Sequence, residues 1–221
     1  MREFDALQDY PQTDRVVGSR TIRNRIEASY RGREFFDGDR NSGYGGLIYD
    51  GRWADVARRM CDTYGLGNEG SVLHLVCERG FLLHEFLKIN PLMRCRGTET
   101  SLYARNTALR DIRLGIRLEP PTEISFGEKE FDLVIAIGAV YTLTLADAIQ
   151  CLKEIQRVGK QAFVTLGAYE TSTDRDLLLQ WSLLGTTILR KDEWLDVMKH
   201  AGYDGDYKFV TAKSLKLCAS S

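Results

Sequence analysis

From Ser71 onward, short and almost wholly apolar runs alternate with stretches of helical spacing, and that rhythm constrains the fold more than any other feature of the chain. The clearest run is Phe131–Ile137, closed by Gly138. The clearest helix is Leu145–Val158, with Ala146, Ile149, Leu152 and Ile155 along one face. Earlier in the series, Ser71–Val76 reads as a strand, Gly80 follows, and Phe81–Ile89 has helical spacing. Met93–Gly97 is a second short strand, and Ser101 is placed to cap a helix running to Leu109. Ile112–Leu118 reads as a third strand, stopped by Pro120 and Pro121. Ala162–Leu166 is a fifth, followed by helices over 174–184 and 191–201 and by late strands over 207–211 and 215–218. Strands this apolar are buried on both faces, which points to a parallel sheet covered by helices on each side. Right-handed crossovers then bring the strand C-termini to one edge, where such sheets bind ligands. The expected fold class is α/β, a Rossmann-like, doubly wound and mostly parallel sheet of about seven strands.

The N-terminal part has a different character. Residues 20–31 read as a polar helix, and the Gly- and aromatic-rich stretches 35–38 and 44–53 are too irregular for a core element. They read as a loop or lid with large amphipathic side chains. Residues 53–64, with Val56, Ala57 and Met60, form a short amphipathic helix ending near Gly65. One structural unit is expected, with an N-terminal helical and lid segment at 1–65 and a Rossmann-like domain at 66–221.

A chain of 221 residues is long enough for one sizeable core. Its net charge of −1 favours neither nucleic acid nor an anionic membrane as partner. Arg15, Arg20, Arg23, Arg25, Arg31 and Arg33 crowd together, interleaved with Asp14, Glu27 and Glu34, and read as a solvated face. The 5 cysteines include no C-x-x-C pair, and the 3 histidines include no H-x-x-x-H pair, so neither a disulfide framework nor a metal site is expected. The start MREFDALQDYPQTDR is charged where a signal peptide needs an apolar stretch, and no run approaches the roughly 20 apolar residues of a membrane span. A reduced, cytoplasmic protein is the expectation, with a homo-oligomer compatible but not demanded.

At the first strand and its turn, Val72-Leu73-His74-Leu75-Val76-Cys77-Glu78-Arg79-Gly80-Phe81-Leu82 resembles V-L-D-x-G-C-G-x-G-x-L, the first motif of class I S-adenosylmethionine (SAM) methyltransferases. Gly97-Thr98-Glu99-Thr100-Ser101 is similar to their second motif, G-x-D-x-S, and Phe131-Asp132-Leu133-Val134 to their fourth strand. The stretches Gly43–Gly46 with Tyr49–Trp53, and Thr187–Leu189 through Tyr207, resemble a bacterial subgroup associated with small-molecule or sugar-type substrates. The resemblance implies SAM as cofactor and a small metabolite or sugar-like acceptor. It carries cofactor-binding roles to His74, Cys77, Glu78, Gly80, Glu99, Thr100 and Ile137. Glu99 is the residue expected to accept ribose hydroxyls.

The first motif departs from its family in three places. His74 stands for the strand-end Asp, Val76 for the first Gly and Glu78 for the second, while Gly80 is kept. Val76 brings a β-branched side chain into a turn that favours none. Glu78 puts a carboxylate where that of SAM lies, and two like charges about 4 Å apart cost about 4 kcal/mol at an effective dielectric near 20.

His74 is a candidate acid–base or hydrogen-bonding group, although such a histidine more often satisfies its ring against nearby backbone. Tyr141, just past the fourth strand, is the other catalytic candidate. Tyr44, Tyr49, Arg52, Trp53 and Tyr169 suit a substrate site or lid as well as they suit packing. Three functions are compatible with this pattern. One is SAM-dependent methyl transfer. Another is a catalytically inactive methyltransferase-like protein acting as a binding partner or regulator. The third is the same fold with another ligand, using His74 and Glu78 in acid–base chemistry.

Overall fold

The strand–helix rhythm resolves into a sheet whose strand pairings are all parallel. A computed structural model describes residues 1–11, 15–18 and 20–219. Its central strands are β3 (Ser71–Leu75), β4 (Arg94–Glu99), β5 (Ile116–Leu118), β6 (Phe131–Ala136), β7 (Gly159–Tyr169) and β9 (Asp206–Val210). In space they run β5-β4-β3-β6-β7-β9, with β1 (Arg2–Glu3) beyond β9 and β8 (Leu189–Arg190) beside the end of β7. This is the doubly wound order, and its direction reverses between β3 and β6, where a crevice opens at the strand C-termini. A separate parallel pair joins β2 (Arg15–Val17) to β10 (Leu217–Ala219), so the last expected strand leaves the main sheet and ties the tail to the N-terminal segment.

Alternation along each strand explains why both faces are covered. Val72, Leu133, Ile135 and Phe163 pack with α3 (Ala54–Tyr64) and α4 (Phe81–Ile89) on one side. Leu73, Leu75, Val134, Ala136, Val164 and Leu166 pack with α7 (Leu145–Val158) and α9 (Lys191–Ala201) on the other. Thr144 caps α7 through the backbone N–H of Asp147, while left-handed Gly65 and Gly202 close α3 and α9. At the opposite end of the sheet, Asp132 accepts from the Ser71 backbone N–H at 2.9 Å and from its hydroxyl at 2.7 Å, tying the start of β3 to β6.

Several sequence expectations change. The third strand is only Ile116–Leu118, because Ile112 lies in the short α6 (Arg110–Arg113), with its side chain buried beneath Gly80. The helix capped by Ser101 stops early, as α5 (Leu102–Asn106). The segment at 35–38 is not a loop: Phe35 and Phe36 lie in α2 (Arg33–Asp37) and are buried in a small core of their own with Ala28 and Ala104. The polar helix is α1 (Ile22–Ser29), and α8 (Ser172–Trp181) precedes β8. Among the described residues, no helix is long and apolar enough to cross a membrane.

Candidate active site

A cavity of about 390 Å³ opens where the sheet reverses, lined by His74 and Val76 from the end of β3 and by Ile137 and Gly138 after β6. Tyr141, on the 3-10 turn Val140–Thr142, forms part of its wall, and the N-terminal segment closes over it with Tyr44, Arg52 and Trp53. Of the residues named from sequence as substrate or lid groups, Tyr44, Arg52 and Trp53 face the cavity, as do the catalytic candidates His74 and Tyr141. Tyr49 and Tyr169 do not: the Tyr49 hydroxyl donates to Glu85 at 2.5 Å, and Tyr169 lies under Arg175 at the end of β7.

The turn after β3 has the backbone of a glycine loop with a glycine at only one of its three left-handed positions. Val76, Glu78 and Gly80 have φ of 52°, 56° and 74°, all left-handed. A non-glycine residue held there costs on the order of 1–3 kcal/mol, which surrounding contacts must offset. Gly80 remains glycine for a second reason, since a Cβ there would sit 2.6 Å from Ile112 Cγ2. Cys77 fills the space left by Gly97 and is buried away from the cavity.

Glu99, at the end of β4, is fully buried and heavily engaged. It accepts from the backbone N–H groups of Glu78 at 2.8 Å, Thr100 at 2.8 Å and Ser101 at 2.9 Å. The guanidinium of Arg31 bridges both its oxygens, at 3.1 and 3.2 Å. Arg31 itself has a left-handed backbone, φ 46°, just past the end of α1, and its carbonyl accepts from the Ser101 hydroxyl at 2.5 Å. Burial opposes its charge, but Glu99, Glu78 and Tyr44 outweigh burial and hold its pKa above the ordinary value.

Glu78 points into the cavity rather than to solvent and accepts from the Tyr44 hydroxyl. Burial raises its pKa, while Arg31 and the Tyr44 hydrogen bond offset part of the rise. Arg79 plays little part, since it turns away to Asp37 and to the carbonyl of Leu47. His74 also differs from expectation: it is buried, and among the described residues neither ring nitrogen has a partner, backbone included. Burial pushes its pKa down to about 4, leaving a neutral imidazole at the cavity wall. Tyr141 is pushed up to about 12, first by burial and then by Glu78, and stays protonated at neutral pH.

The arginines overturn the solvated-face reading. Arg23 and Arg33 are exposed, but Arg15, Arg20 and Arg31 line the cavity together with Arg40. The signal available in the sequence was the local excess of arginine over acid. It did not tell that Arg15, Arg20 and Arg31 turn inward, because their partners lie far along the chain. A neighbouring cavity of about 330 Å³ has Thr100, Pro121 and Val76 in its walls and shares Arg31 with the first; Glu99 is buried and lines neither.

The chain matches no model of a known protein family and no curated protein sequence. Solved structures do resemble it. A protein of the complex between the Haloferax volcanii Trm112 methyltransferase activator and its methyltransferase is 18% identical, with a TM-score of 0.50 over 66% of this chain and 71% of that one. YcgJ of Bacillus subtilis is 17% identical, with a TM-score of 0.53 over 66% of each chain. A Bacillus halodurans protein assigned as a methyltransferase is 15% identical, with a TM-score of 0.53 over 66% of this chain and 68% of that one. Likeness at these identities is likeness of fold. The chain therefore has the Rossmann-like fold of class I methyltransferases, with the cavity of about 390 Å³ at the edge where β3 and β6 end.

Proposed function

We propose that this protein is a SAM-dependent methyltransferase acting on a small metabolite or sugar-like molecule, with an adenosine site gated by its own N-terminal segment. The observation that carries this reading is the β3–α4 turn. Its backbone keeps three left-handed residues and delivers the Glu78 N–H to Glu99, although two of the three are no longer glycine. A nucleoside would lie in the space beside Thr100 and Pro121, with Val76 as an apolar wall. Thr100 would hold it, together with the buried Glu99 one residue before it. Ile137 faces the larger cavity instead. The fit has one condition: Arg31 must leave Glu99, because the oxygens that would accept ribose hydroxyls are already taken by Arg31 and three backbone N–H groups.

When bound, SAM supplies an electrophilic methyl group. The chain's own contribution is placement and proton handling. Tyr44, Arg52, Trp53 and Tyr141 enclose the acceptor, and fixing two reactants in line provides much of the acceleration in a displacement. Glu78 is the carboxylate on the cavity wall and, with its pKa raised, the group best suited to take a proton from the acceptor. His74 stays neutral and offers one donor and one acceptor to the ligand.

A second reading has its own observation. The saturation of Glu99 also suits a methyltransferase-like fold that has given up its cofactor and serves as a binding partner or regulator. Calorimetric titration with S-adenosylhomocysteine (SAH) separates the two, using the wild type, Arg31→Met and Glu99→Ala. Micromolar binding by the wild type or by Arg31→Met, lost in Glu99→Ala, supports the methyltransferase. Absence of heat to millimolar SAH from folded wild type and folded Arg31→Met removes it and leaves the second reading.

A further inference from the structure

The larger cavity carries far more positive charge than the chain neutralises. Its walls include Arg15, Arg20, Arg31, Arg40, Arg52 and Lys208, against the single carboxylate of Glu78. Arg31 is paired with Glu99, Arg52 with Asp50 and Lys208 with Asp5. Among the described residues, no carboxylate pairs with Arg15, Arg20 or Arg40. Arg15 donates to the carbonyl of Leu215 at 3.3 Å and lies over the Trp181 ring, Arg20 donates to the carbonyl of Trp181, and Arg40 to the carbonyl of Tyr44 at 2.6 Å. Each carbonyl holds a guanidinium in place without cancelling its charge, and leaves further N–H groups free to donate. Arg15 and Arg20 are half-buried, and burial together with the charge of Arg40 lowers both their pKa values. Two half-buried guanidiniums with the charge of the exposed Arg40 beside them are a destabilising arrangement unless an anion shares the site.

We infer that this end of the cavity binds the phosphate group of a small organic phosphate, whose organic part lies against Trp53, Trp181 and Tyr141. Three uncompensated guanidiniums match the two to three negative charges of a phosphate monoester or diphosphate better than the single charge of a carboxylate. The planar guanidinium fork pairs with phosphate oxygens two at a time. A volume of about 390 Å³ suits a small molecule rather than a polymer. Arg15 is placed by the pairing of β2 with β10 and Arg20 by the end of α8, while Arg40 is held by the nearby carbonyl of Tyr44, so the site belongs to the folded chain. The inference names the substrate class for the proposed methyl transfer, but phosphate binding itself needs no SAM.

The test is calorimetric titration with inorganic pyrophosphate at constant ionic strength, with citrate as a carboxylate comparison. It is run on the wild type, Arg20→Gln, Arg40→Gln and the control Arg33→Gln, an exposed arginine outside the cavity. The expected result is saturable binding, weakened about tenfold or more in Arg20→Gln and Arg40→Gln and unchanged in Arg33→Gln, with citrate weaker than pyrophosphate. No saturable binding, equal binding by all four proteins, or tighter binding of citrate would overturn the assignment. Thermal unfolding of each variant separates lost binding from lost folding. If SAH fails to bind while pyrophosphate binds at these arginines, the methyl-transfer reading falls and the phosphate site stands. The reverse outcome removes only the phosphate site.

Discussion

Arg31 and Glu99 stand 68 residues apart in sequence and meet as a buried pair, the guanidinium bridging both carboxylate oxygens at 3.1 and 3.2 Å. The pair is lopsided. Glu99 has three backbone N–H donors besides Arg31, whereas Glu99 is the only carboxylate within ion-pairing distance of Arg31 among the described residues. Removing Glu99 therefore strands a buried cation and three N–H groups, while removing Arg31 leaves a carboxylate that is still solvated by backbone. Glu99→Ala is expected to cost about 3–5 kcal/mol and Arg31→Met about 1–2 kcal/mol. Urea unfolding measures both, and equal costs for the two would refute the asymmetry.

Glu78 governs how an anionic ligand end is received at the β3–α4 turn. Glu78→Gln keeps the side-chain length and an acceptor for Tyr44 but removes the negative charge. SAH binding, measured by calorimetry, is expected to tighten by about tenfold or more, within the thousandfold that about 4 kcal/mol of like-charge repulsion allows. Unchanged affinity would mean that the carboxylate does not face the ligand.

His74 makes stability depend on pH in a defined direction. Its folded pKa of about 4 lies below its unfolded value near 6.5, so between these values the unfolded chain holds a proton that the folded chain refuses. Stability is full above about pH 6.5 and is lost progressively as pH falls toward about 4, by about 3 kcal/mol from this group. In His74→Leu that part of the slope should vanish. Denaturant midpoints at pH 7.5 and pH 5 for both proteins decide it, and parallel slopes would count against a buried neutral histidine.

Gly80 is held by space and by backbone together. A Cβ there would meet Ile112 Cγ2 at 2.6 Å on a backbone with φ 74°. Gly80→Ala is expected to destabilise by about 1–3 kcal/mol. The double variant Gly80→Ala with Ile112→Ala removes Cγ2, the carbon that the new Cβ would meet, and should cost less than the two single costs added together. Strict additivity in thermal unfolding would show that the contact is not what excludes a side chain.

Much of the framework is legible in local sequence. Phe131–Ile137 and Leu145–Val158 are strong signals because one is apolar at every position but Asp132 and the other repeats apolar residues every three to four positions, and the elements found there match within a residue or two. The helix at 191–201 is equally clear, closed by a glycine that takes the left-handed conformation its cap requires. The short elements were harder. Ile112 reads as a strand residue by composition, yet it serves as a helical packing partner under Gly80, a role assigned by contact and not by neighbours in sequence.

The α/β class and the order of strands along the chain follow from short-range periodicity and from turn residues, which act within a few positions of one another. His74, Glu78 and Glu99 stand out through the resemblance to the methyltransferase motifs. That Arg31 occupies Glu99, that the ring of His74 has no partner among the described residues, and that Arg15, Arg20 and Arg40 face one cavity depend on contacts between distant parts of the fold. An arginine's long side chain looks the same in sequence whether its head lies in water or over a buried carboxylate. The choice is made by what the fold brings within reach of it, and here those groups come from β4, from the end of α8 and from the last residues of the chain.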